Sequence, residues 1–138
     1  MKTVNAFVII LFSVLAVACK TNPTNGGKPD NNNDIYGNWL WKSSTGGIGG
    51  TTTFPTGNNK YTLQITVDSN FIESRNDTIT FNDKFTLYYV DAVPHPILVL
   101  DFINSKRFSL AVNVVSSDSL ILSDTFIDGY TSVYTRIH

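Results

Sequence analysis

The sequence predicts an all-β fold, a small up-and-down antiparallel β-barrel of eight or nine strands. Three observations point there. Ser, Thr, Asn, Phe, Tyr, Ile and Val dominate, and Glu73 is the single glutamate, a set suited to pleated strands and turns rather than helices. From Ile35 onward, short runs alternate apolar and polar residues with period two, and no helical period persists. Turn residues recur roughly every 6 to 12 positions, the spacing of a sandwich or barrel. Hairpin-length connections favour the barrel, because a Greek key needs a long crossover.

The first 18 residues read as a secretory signal. Lys2 supplies the positive start, an apolar run from Ala6 to Ala18 is broken only by Ser13, and Ala16-Val17-Ala18 is a small-residue cleavage site. The run is too short to span a bilayer, which takes about 20 apolar residues. Leu15-Ala16-Val17-Ala18-Cys19 resembles a bacterial lipobox, although Ala16 stands where leucine is more usual. The resemblance implies that Cys19 is diacylated and becomes an acylated N-terminus, carrying chains such as palmitate. More than one such chain gives stable anchoring, at about 0.8 kcal/mol per buried methylene. Cys19 is the only cysteine, so no intrachain disulfide is possible. Residues 19–34 then form a tether of Pro, Gly, Asn and Asp after the cysteine, with nothing apolar to bury. Lys20 follows the cysteine, and the absence of aspartate there resembles the sorting pattern of outer-membrane lipoproteins.

Residues 35–138 are the predicted barrel domain. "GNWLWKSST" opens it, and a Gly-rich connection over residues 46–59 follows. "KYTLQITVD" alternates cleanly, with Tyr61, Leu63, Ile65 and Val67 on one face. Ser69-Asn70, Asn76-Asp77 and Asn82-Asp83 read as turns leading into "FIESR", "TITF" and "KFTLYYV". "AVPHP" separates these from "ILVLDF". "NSK" leads to "RFSLAVNVV", where Phe108, Leu110, Val112 and Val114 share a face, and "SSDS" leads to "LILS". Asp128-Gly129 precedes the last strand, "YTSVYTRI".

Gly37-Asn38-Trp39 at the head of the first strand resembles the Gly-x-Trp signature of lipocalins, and Arg136 stands where their basic residue packs across that tryptophan. The wider layout is similar to the lipocalin-like domains of small bacterial lipoproteins. A barrel end needs a large plug, and Trp supplies area with one donor to satisfy. A guanidinium over the indole adds a cation–π attraction of about 0.5–2 kcal/mol. Gly37 gives the chain room to turn. The resemblance implies barrel closure by Gly37, Trp39 and Arg136, and a lid role for the 46–59 connection. A barrel of eight strands either fills with its own side chains or holds one small ligand. Trp41, Phe71, Phe81, Phe85, Tyr89, Phe102, Phe108 and Tyr134 are the large candidates for the interior.

Net charge is −1, which gives no basic patch for nucleic acid. Chemistry-bearing residues are sparse. His95 sits between Pro94 and Pro96, His138 is terminal, and no Cys or His pair has metal-ligand spacing. No catalytic residues, metal or cofactor are therefore expected. Most aspartates fall in predicted turns. Asp101 interrupts "ILVLDFI"; it either faces solvent, paired with Arg107 across the turn, or is a buried acid orienting a ligand. Two functions remain. One is a binding module for a small apolar or amphipathic ligand, using Trp41, Tyr61, Tyr89 and Asp101. The other is a filled barrel that works through its outer surface as a protein-interaction or hydrolase-inhibitor module in the cell envelope.

Overall fold

The computed structural model describes residues 35–138. Residues 1–34, which include the expected signal segment, Cys19 and the expected tether, lie outside the described residues. Nine strands follow one another: β1 (Gly37–Gly46), β2 (Thr51–Thr53), β3 (Tyr61–Ile65), β4 (Asn70–Arg75), β5 (Thr78–Val90), β6 (Ile97–Phe102), β7 (Leu110–Val115), β8 (Ser119–Asp124) and β9 (Tyr130–Arg136). Each pairs antiparallel with its neighbour in the order β2-β1-β3-β4-β5-β6-β7-β8-β9, and β1 also pairs with β9. The result is a closed up-and-down barrel of eight strands, with β2 as an extra strand on β1.

Local chemistry sets the turns. Asn76 and Asp77 both take positive φ, 49° and 64°, the geometry of a two-residue hairpin loop matched to strand twist. Asn76 Oδ1 also accepts the Lys60 amide at 2.8 Å. In β3 and β4, Leu63, Ile65 and Phe71 are buried on the inner face, as alternation requires. They join Phe85, Leu100, Leu120 and Leu122 in one core.

The structure departs from the sequence expectations in several places. The Asn82-Asp83 pair is no turn: β5 runs unbroken for 13 residues from Thr78 to Val90. Asp83 is instead buried, and its carboxylate accepts Lys84 N, Asn104 N and Nδ2, and Ser105 N at 2.7–3.3 Å. Burial pushes this carboxyl up, but hydrogen bonds from Ser105 and Asn104 outweigh it and hold the pKa down at about 2. Phe108 does not join the inner face of β7. It lies ahead of that strand, exposed, with its ring 4.6 Å from that of Phe126. Val67 ends up in the β3–β4 turn rather than on the β3 face and is exposed. The 46–59 connection also contains β2, which pairs Thr51, Thr52 and Thr53 with Gly46, Thr45 and Ser44.

Trp39 seals one end. It is fully buried, and its Nε1 donates to Ile35 O at 2.9 Å. Arg136, opposite Trp39 in the β1–β9 ladder, lies 4.0 Å above the indole. Its Nη1 donates to Tyr36 O at 2.9 Å and its Nε to Ser117 O. Gly37 makes this possible: its φ is +141°, and a Cβ there would stand 2.5 Å from Arg136 Nη1.

Candidate functional site

Further along β1 the barrel is not filled. A cavity of about 370 Å³ opens there, lined by β1, β3, β4, β5 and β9, by Phe54 beyond β2 and by Arg107 of the β6–β7 loop. Trp41 and Tyr61 form its aromatic wall, with ring centroids 5.3 Å apart and planes at 79°. Such an edge-to-face pair adds about 0.5–1.5 kcal/mol beyond burial. Phe54 is 63% exposed at the rim.

A bulge builds the polar wall. The β1–β9 register shifts between Trp41 and Ser43, so Ser44 rather than Ser43 comes opposite Ser132. Trp41 Nε1 donates to Ser44 Oγ at 2.8 Å, and the Ser44 and Ser132 hydroxyls share a hydrogen bond of 2.7 Å. Tyr134 continues the row. Burial, followed by the nearby Glu73 charge, pushes its phenol up to about 12. The Tyr134 hydroxyl is therefore neutral at any ordinary pH.

An ion pair forms the floor. Glu73 of β4 meets Arg107 at 2.9 Å between Oε1 and Nη1. The Arg107 guanidinium also faces the rings of Phe81, Phe102 and Phe71, at 4.9, 5.4 and 5.6 Å from their centroids. These rings pack edge-to-face with one another at 5.0–6.2 Å. Arg107 comes from a loop, and Asp83 fixes that loop through the Asn104 and Ser105 bonds.

Of the ligand-binding candidates, Trp41 and Tyr61 come together in this cavity. Tyr89 and Asp101 do not join them. Tyr89 lies half-buried on β5 opposite Leu98, away from the cavity lining. Asp101 is opposite Thr86 on β6 and accepts the Ser109 hydroxyl at 2.6 Å, while Arg107 pairs with Glu73 instead. Sequence reasoning missed Glu73, Arg107 and the Ser44–Ser132 pair. The spacing of Glu73 from Phe71 was a signal for the first, because both share the inner face of β4. Among the described residues no three His, Cys, Asp or Glu side chains cluster to hold a metal ion, and every buried side-chain N or O has a partner.

The outer surface carries a second feature. Tyr88, Val90, Ile97, Phe126 and Ile127 are exposed along one shallow apolar groove over β5 to β8. Compared with known protein families, curated proteins and solved structures, the chain matches none.

Proposed function

We propose that this chain is a non-catalytic lipoprotein of the cell envelope, held at the outer membrane through acylated Cys19, whose lipocalin-like barrel binds a small amphipathic molecule. The cavity beside Trp41 and Tyr61 carries this proposal. Its volume falls in the range of small-molecule sites, about 300–1,000 Å³, and it joins aromatic walls to a few convergent polar groups, the usual make-up of such sites. The Trp39–Arg136 stack supports the lipocalin-like assignment, and the lipobox supports the anchor.

Native mass spectrometry on protein purified from its own envelope tests the binding function. The expected result is a discrete extra mass that disappears on denaturation and is lost in Tyr61→Ala. A bare polypeptide in both would refute it. The exposed groove over β5 to β8, with the Phe108–Phe126 contact beside it, favours a second reading, an outer surface that docks an envelope protein.

A further inference from the structure

Given that the cavity binds a small molecule, we infer that it selects a flat ring compound of no net charge, whose polar edge presents a hydrogen-bond donor and an acceptor side by side. A neutral carboxamide on an aromatic ring is the simplest example. The inference deepens the proposed function, rests on it, and comes from the floor of the cavity.

That floor is an ion pair, not a single charge. Glu73 and Arg107 are 2.9 Å apart, and their side chains stay 27% and 34% exposed where they line the cavity. A ligand carboxylate drawn to Arg107 would sit within a few ångströms of the Glu73 carboxylate. Attraction and repulsion at similar distances nearly cancel. A ligand ammonium drawn to Glu73 meets the mirror-image problem at Arg107. Arg75 adds no anion site inside: it stacks on Tyr61 at 5.6 Å, bonds Asn59 Oδ1, and is exposed outside the lining.

A wholly apolar body fits no better. Seated on the floor, it would strip water from both charges and return no hydrogen bond. A donor beside an acceptor answers both groups at once, the donor to the second Glu73 oxygen and the acceptor to a remaining Arg107 N–H. The rest of the cavity sets the body. Trp41 and Tyr61 offer ring surfaces, and the Ser44–Ser132 hydroxyls offer one more polar edge. The volume equals about a dozen waters at ~30 Å³ each, room for one or two fused rings.

Three indoles separate head charge from ring: indole-3-acetamide (neutral), indole-3-acetate (anion) and tryptamine (cation). Isothermal titration of the full-length protein should show the acetamide binding about tenfold more tightly than either ion. Glu73→Gln should turn the preference toward the acetate, and Arg107→Gln toward tryptamine, with melting curves confirming that both variants fold. The wild-type ratio stands alone as a test should either variant fail to fold. Equal affinities for the three in the wild type overturn the charge inference and leave the cavity a binding site. Absence of binding by all three also overturns it, and the binding function then stands or falls on the native mass spectrum.

Discussion

Replacing Trp39 by alanine should remove most of the stability of this barrel. The indole is fully buried, holds Ile35 O through Nε1, and carries the Arg136 guanidinium 4.0 Å from its centroid. Truncating a buried tryptophan costs about 3–5 kcal/mol in lost burial and cavity. The Ile35 carbonyl left without its donor adds about 1–3 kcal/mol where no water replaces it. These contributions overlap, so the expected loss is about 4–6 kcal/mol. A domain of roughly a hundred residues has about 5–15 kcal/mol in all. The melting temperature should fall by about 15–30 °C. Urea unfolding followed by far-UV circular dichroism measures the loss, since the signal does not depend on the tryptophan removed. Trp39→Phe gives a graded control. It keeps a ring under Arg136 and loses the donor to Ile35, so it should cost less than alanine. A loss below about 1 kcal/mol for alanine, or equal losses for both variants, would refute the view of Trp39 as the plug of the barrel.

Two further outcomes are expected. Asp83 has a depressed pKa in the folded state, so the stability it contributes is present above the unfolded value of 3.8 and disappears as pH falls through about 2. Wild type should therefore melt above Asp83→Asn at neutral pH, with the gap closing between about pH 4 and 2; a gap independent of pH in thermal scans would show that the carboxylate charge is not responsible. Cys19→Ser should move the protein from the membrane fraction to the soluble fraction and remove the acyl mass from the intact chain, and retention at the membrane would sink the proposed anchor.

Strands and turns were legible because their signals are local. Period-two alternation names a face, and Asn76-Asp77 names a hairpin, without any knowledge of what lies across the barrel. Asn82-Asp83 has the same letters as a turn, yet β5 continues through it, because the Asp83 carboxylate is used by a loop about twenty residues later. Long-range hydrogen bonding overrides the local preference there. Face is also not depth. Tyr89 follows the inward parity of Phe85, but alternation says nothing about height along the barrel, and Tyr89 falls outside the cavity. The polar lining was the least visible part. Ser44 comes opposite Ser132 through a bulge, and Arg107 reaches Glu73 from a connection whose path depends on the Asp83 anchor.

The β1–β9 ladder has a kinetic consequence. Every other ladder joins strands that are neighbours along the chain or separated only by β2, and so forms by short excursions. The final seam does not: Arg136 reaches Tyr36 across 100 residues. In a chain without its hairpins, bringing ends that far apart together costs on the order of 4 kcal/mol in chain entropy, and nothing repays it until the seam zips. An open, curled ribbon that already has its hairpins is the natural precursor, with closure as its last step. The Trp39–Arg136 stack acts at that step as a latch. Circular permutation that joins residue 138 to residue 35 and opens the chain at the Asn76-Asp77 hairpin would turn the latch into a local contact and move the slow closure to β4 and β5.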